Sequence, residues 1–256
     1  MLLAIDIGNT NTVFALITQD GTVMHSWRLK TTRDKTADEY AAFFYGLSSR
    51  DHNDKSVAHV IVSSVVPEAN FHIRSFCENY MDLDAYFVTN DNAGVKIDID
   101  RSEDVGADRL VNTAAINAYH KRAAIVLDFG TATTFDVIDQ NGIYKGGVIS
   151  PGINLSISAL AQAASKLPKV SIRKPSRMTG KSTTEAMQSG IYFGYVGLIN
   201  GILNGLIKEM DLDDAPLVLA TGGLASTFKD DVPLIEQIDN DLTLKGLYTI
   251  FTANKK

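Results

Sequence analysis

Two segments half a chain apart carry nearly the same residues: Ile5-Asp6-Ile7-Gly8-Asn9-Thr10-Asn11-Thr12-Val13 and Leu127-Asp128-Phe129-Gly130-Thr131-Ala132-Thr133-Thr134-Phe135. Each copy is an apolar strand end, an Asp, a Gly, then hydroxyl and amide side chains. Each runs on into a second strand, Phe14 to Ile17 and Asp136 to Ile138, closed by Asp20-Gly21 and Asn141-Gly142, dipeptides typical of tight hairpins. A chain that repeats a strand-turn-strand unit in this way is expected to form two related domains facing each other across a cleft. A glycine between two strands lets backbone N–H groups approach an anion closely, and Thr and Asn add neutral donors, so each turn suits phosphate. The Asp before each Gly has the same sign as phosphate, and a cation between them, most simply hydrated Mg²⁺, removes the conflict.

At 256 residues with 45% hydrophobic content the chain can bury one large or two medium cores. A formal net charge of −6 argues against a nucleic-acid footprint, so no nucleic-acid partner is expected. The single Cys77 excludes an intramolecular disulfide and a cysteine zinc cluster, and fits a reducing compartment. Met1 to Ile5 runs into Asp6 without a basic leader, so a cytoplasmic protein is expected. Gly190 to Ile207 is uncharged, but its Asn200, Asn204 and five glycines argue against a membrane span. Gly190, Gly194, Gly197, Gly201 and Gly205 share one helical face, which predicts a close core contact or a homodimer seam.

Periodicity predicts strands at Leu2 to Ile7, Thr12 to Thr18, Val23 to Leu29, His59 to Ser64 and Ala85 to Val88, with helices at Ala37 to Ser48 and Glu68 to Tyr80. A helix from Glu103 to Lys121 leads into a strand at Ala124 to Asp128, where the pattern restarts. Two domains, 1–119 and 120–256, follow from that restart. A strand at Leu217 to Ala220, the turn Thr221-Gly222-Gly223 and a helix from Leu244 complete the second.

Gly180-Lys181-Ser182 resembles the end of a P-loop, but Pro175 stands where the first glycine belongs and no apolar strand precedes it. Ser182, Thr183 and Thr184 before Glu185 read better as a helix start. No Gly-x-Gly-x-x-Gly follows the first strand. In Val105-Gly106-Ala107-Asp108-Arg109-Leu110, Asp108 falls in a first helical turn. An acid there can be a cap, or it can receive an acceptor hydroxyl's proton while Arg109 meets negative charge. His25, His52, His59, His72 and His120 are scattered and offer no competing base.

Together with Ser63-Ser64-Val65-Val66-Pro67, Gly146-Gly147-Val148-Ile149-Ser150-Pro151-Gly152, Leu167-Pro168 and Thr221-Gly222-Gly223, these motifs resemble, in order, those of the type III pantothenate kinase family. The resemblance implies an α/β fold: two similar ribonuclease H-like domains of the acetate and sugar kinase/Hsp70/actin superfamily around a central nucleotide cleft. It also implies a homodimer that phosphorylates pantothenate with ATP, Mg²⁺ and a monovalent cation, K⁺ or NH₄⁺. By position, Asp6, Ile7, Gly8, Asn9, Thr10, Asn11, Thr12 and Val13 would bind ATP phosphates, Asp6 would reach Mg²⁺ and Thr131 would contact ATP. Gly106, Ala107, Asp108, Arg109 and Thr183 would contact pantothenate, Asp108 would be the base, and Asp128 would hold the monovalent cation. The family often has Asn where this chain has Ser182, and an aromatic residue and a proline where it has Ile99 and Ser102. The different-class alternative is an accessory regulator of transcription. A sibling kinase with another small hydroxyl acceptor is the nearer one.

Overall fold

The computed structural model describes residues 1–49, 57–163 and 170–255; the expected Leu167-Pro168 pair and His52 lie outside them. In chain order the elements are β1 (Leu2–Ile7), β2 (Asn11–Ile17), β3 (Val23–Lys30), α1 (Ala37–Ser48), β4 (His59–Ser64), α2 (Pro67–Met81), β5 (Ala85–Phe87) and α3 (Ala107–Tyr119). Then follow β6 (Ala124–Phe129), β7 (Ala132–Ile138), β8 (Tyr144–Pro151), α4 (Ile153–Ala163), α5 (Thr183–Met210), β9 (Leu217–Thr221), α6 (Ala225–Phe228), β10 (Gln237–Ile238) and α7 (Leu242–Asn254).

The chain divides into two compact units, Met1–Lys121 with Asp241–Lys256, and Arg122–Asn240. The junction falls close to the expected one, but α7 joins the first unit, whereas the sequence reading gives all of 120–256 to the second. Periodicity marks α7 as an amphipathic helix and carries no information about which sheet it covers.

In the first unit the sheet runs β3-β2-β1-β4-β5, antiparallel through β1 to β3 and parallel across β1, β4 and β5. Strand residues alternate between faces. Leu3, Ile5, Ile7, Phe14, Val60 and Val62 point into a core closed by Phe44 of α1 and Phe76 of α2. The other face is covered by α3 and α7, which also pack on each other. Thr243 Oγ1 at the start of α7 donates to Asn112 Oδ1 of α3 at 3.0 Å, and Tyr248 Oη to the Gln19 carbonyl at 2.7 Å.

The second unit repeats the plan with the order β8-β7-β6-β9-β10 and the same directions. Its core gathers Leu127, Phe129, Phe135 and Val218 against Tyr192, Tyr195, Ile199 and Leu203 of α5. Gly21 and Gly142 both take positive φ, +87° and +76°, at the predicted hairpin turns. Even the irregularities recur, since the register slips at Leu16/Ile17 and at Val137/Ile138.

The copies part company at the first turn. Ile7 pairs with Thr12, but Phe129 pairs with Thr133, so the first turn holds one residue more than the second. Phe14 therefore becomes the structural counterpart of Phe135, both fully buried, although the sequence repeat sets Val13 opposite it.

The α5 glycines make no core contact: all five are exposed, and a Cβ added at any of them would meet nothing within 4 Å among the described residues. The helix is long and apolar enough to cross a membrane by length and composition. Its opposite face, however, is the one buried in the second core.

Candidate active site

The first glycine turn is built by its neighbours. β1 delivers Asp6 half-buried at its end, while Ile7 turns into the core and is fully buried. Gly8 N–H donates to the Asn11 carbonyl at 3.0 Å, closing the loop and leaving Asn9, Thr10 and Asn11 exposed. Thr31, just past β3, braces it three ways. Its hydroxyl donates to the Gly8 carbonyl at 2.7 Å and lies 2.9 Å from Thr12 Oγ1, and its N–H donates to the Thr10 carbonyl at 2.9 Å. Thr12 is therefore buried and engaged within the fold, and Val13 is a half-buried strand residue. Sequence reasoning did not single out Thr31. The β2–β3 register that brings it to the turn is its only signal.

Close to this turn lies the start of α3. Val65 links the two: its N–H donates to the Ile7 carbonyl at 3.0 Å, and its Cγ1 stands 3.3 Å from where a Cβ on Gly106 would be. Gly106 is the N-cap with φ −64° and ψ 146°, and no side chain caps the helix from that position. Asp108 folds back over it, so that a Cβ on Gly106 would sit 2.5 Å from Asp108 Oδ1. That oxygen accepts the Arg109 N–H at 2.9 Å. The capping reading of Asp108 is thus partly met: one carboxylate oxygen satisfies a first-turn amide. Ala107 is buried, and Asp108 and Arg109 are half-buried.

In the second unit, Gly130 N–H donates to the Ala132 carbonyl at 3.1 Å, leaving Thr131 exposed at the tip. Asp128 stands in register with Thr134 of β7 and Thr221 of β9. Gly222 follows at φ +90°, and a Cβ there would lie 2.7 Å from the Phe129 carbonyl oxygen and 2.8 Å from Asp128 Oδ1. The Phe129 carbonyl and the Asp128 carboxylate thus pack closely on this glycine, where no side chain would fit. Beneath the turn, the Phe129 and Phe228 rings stack at 5.6 Å.

Thr183 opens α5 and is exposed. Ser182 caps the helix, its Oγ accepting the Glu185 N–H at 3.2 Å. The Glu185 carboxylate accepts the Lys181 N–H at 2.8 Å and an Arg177 N–H at 3.0 Å, and these donors hold it below the usual carboxylate range. The amide that a P-loop would offer to phosphate is occupied by a carboxylate, in keeping with the rejected Gly-Lys-Ser reading. Asp136, buried in the β7–β8 hairpin, accepts from Tyr144 Oη at 3.0 Å and Thr134 Oγ1 at 3.2 Å, which makes it part of that hairpin's interior.

The structure therefore groups Asp6 to Val13 with Gly106 to Arg109 in the first unit, and Asp128, Thr131 and Thr183 in the second. Among the described residues no three His, Cys, Asp or Glu side chains cluster as metal ligands. The residues do fit a cation bound through one carboxylate, with phosphate and water as its other ligands, as Mg²⁺ commonly is.

Comparisons with known proteins agree on the family. The type III pantothenate kinase family model matches residues 2–205. A type III pantothenate kinase of Paramagnetospirillum magneticum is 47% identical over 257 residues, 99% of this chain and 98% of that protein. Among solved structures, a Campylobacter jejuni protein named for the Baf family of transcriptional activators aligns over 98% of both chains, with TM-score 0.59 and 19% identity. The inorganic polyphosphate/ATP-glucomannokinase of an Arthrobacter species aligns over 99% of both, with TM-score 0.53 and 13% identity. At these identities the two likenesses carry the fold alone. With a family model spanning most of its length and a relative at nearly half identity, the chain belongs to the type III pantothenate kinase family.

Proposed function

We propose that this protein transfers the γ-phosphoryl group of ATP to the primary hydroxyl of pantothenate, the first step toward coenzyme A. Asp108 is the general base of this reading. The observation that carries it is the fold of Asp108 over Gly106, one oxygen held by the Arg109 amide and the other assigned to the acceptor hydroxyl. A carboxylate is a weak base toward an alcohol, but it serves when the transition state is loose and the proton leaves late. Arg109 meets charge on the transferring group, and Gly106, Ala107 and Thr183 contribute to the pantothenate pocket.

The Gly8 turn holds the phosphates through its backbone and through Asn9, Thr10 and Asn11. Ile7, Thr12 and Val13 give the turn its shape, because the first two are fully buried. Asp6 holds Mg²⁺ and Thr131 contacts ATP. Asp128, with the Phe129 carbonyl nearby, would hold the monovalent cation, K⁺ or NH₄⁺. When bound, the cations neutralise phosphate charge. The exposed glycine face of α5 is our candidate homodimer seam. Cys77 is buried and unpaired with another cysteine, which supports a cytoplasmic setting, and neither nucleic acid nor membrane is a partner in this reading.

The test is ADP release by purified protein with ATP and pantothenate, with K⁺ present or replaced by Na⁺. Turnover that needs pantothenate and K⁺ is expected. Turnover with another hydroxyl acceptor and none with pantothenate would return the protein to the sibling-kinase reading.

A further inference from the structure

The Ser63-Ser64-Val65-Val66-Pro67 motif has no role in the transfer scheme above. Its first residue is fully buried at the end of β4, and Ser63 Oγ has no hydrogen-bond partner. Three other buried polar atoms share that condition among the described residues, Tyr40 Oη, Ser48 Oγ and Asn70 Oδ1, and all three belong to α1 and α2. Ser63 alone stands beside the site. An unpaired buried hydroxyl is destabilising, and alanine would fill the position without that cost.

The strand register says what the hydroxyl faces. β1 and β4 are parallel neighbours with Asp6 opposite Ser63. Residues paired in this way share a face of the sheet, with strands about 4.8 Å apart, so a serine hydroxyl can reach the neighbouring carboxylate. That face is the one α3 covers, and α3 carries Asp108 in its first turn. The second unit repeats the arrangement: Asp128, the counterpart of Asp6, stands opposite Thr221 on β9, also buried. Each Asp-x-Gly turn thus has a buried hydroxyl residue beside its Asp on the adjacent parallel strand. These partners lie in two motifs that share no sequence similarity.

We infer that Ser63 is a positioning residue for Asp6. Unpartnered without ligands, its hydroxyl is placed to donate to the Asp6 carboxylate once the ATP-bound divalent cation draws that carboxylate into position, and so to fix the direction in which the two meet. Thr221 holds the same place relative to Asp128. The inference rests on the assignment of Asp6 to the cation, and it is independent of which acceptor receives the phosphoryl group.

The experiment uses the full-length protein with a non-hydrolysable ATP analogue and Mn²⁺, whose binding is read by electron paramagnetic resonance. Pantothenate turnover is measured alongside, so an inert wild type would refute the functional reading while the Mn²⁺ titration still reports on Ser63. Ser63→Ala is expected to weaken Mn²⁺ retention about 10- to 100-fold, as loss of a residue that orients a metal ligand does. Its melting temperature without ligands should equal or exceed that of the wild type. Ser63→Thr, which keeps the hydroxyl and copies the second unit, should restore binding. Ser63→Cys, nearly isosteric with a weak donor, is read in the same way should the alanine variant not fold. Unchanged Mn²⁺ affinity in Ser63→Ala overturns the inference. So does a loss that accompanies a lowered melting temperature and is not restored by threonine.

Discussion

Gly106 has no room for a methyl group, because the carboxylate of Asp108 occupies that space. Gly106→Ala should therefore displace the carboxylate while leaving the helix largely intact. The expected result is a fall in kcat of at least about tenfold, since small misplacements of a reacting group are costly, with a melting temperature close to the wild type. Asp108→Asn should lower kcat by about 10²- to 10⁴-fold, the range for a positioned acid or base, with binding of an ATP analogue retained in calorimetry. Cys77 gives a residue-scale control away from the site. Burial pushes its thiol up to about 12, so iodoacetamide at pH 8 should label it only after unfolding. Because the folded value is the raised one, the thiol's contribution to stability is complete below the unfolded value and falls away as pH rises toward the folded one. The place of Asp108 in a first helical turn was legible in the sequence because its signal is local: a glycine, an acid and an arginine at a helix start. Thr31 was not, and Ser63 appeared only within a motif whose role stayed open, because each reaches its turn through strand register.

At the scale of elements, the hairpins, β1, β4 and α1 follow directly from alternation, turn dipeptides and capping residues. Thr36 and Glu39 form a reciprocal capping box that fixes where α1 begins. The extra residue in the first glycine turn could not be read, since the repeat aligns the two copies without a gap and only cross-strand pairing places it. The glycine face of α5 was visible, but its surroundings were not. Because a Cβ at Gly194 or Gly201 meets nothing within 4 Å among the described residues, Gly194→Ala and Gly201→Ala should each stabilise the helix by about 0.5–1 kcal/mol in denaturant unfolding. The same pair should weaken self-association in sedimentation equilibrium if this face is the homodimer seam. At the start of α5, the Lys181 amide and Arg177 keep Glu185 below its ordinary value of 4.5. This support is present above that value and is lost as pH falls through the lowered one. Melting curves of wild type and Glu185→Gln should accordingly converge under acid and diverge toward neutrality.

For the molecule as a whole, the sequence repeat announced two units with one topology and left the destination of the last helix open. α7 is a structural part of the first unit, where Leu247 is fully buried. Leu247→Ala should destabilise that unit by about 2–5 kcal/mol, the usual cost of emptying a buried leucine site, and protease should cut first within Met1–Lys121. The return of α7 also governs how the protein is made. On the ribosome, the part of the first sheet's face that α7 covers beside α3 stays uncovered while the whole second unit is synthesised. At ~5–20 residues per second that wait is on the order of ten seconds, during which the apolar surface awaiting α7 is open to water.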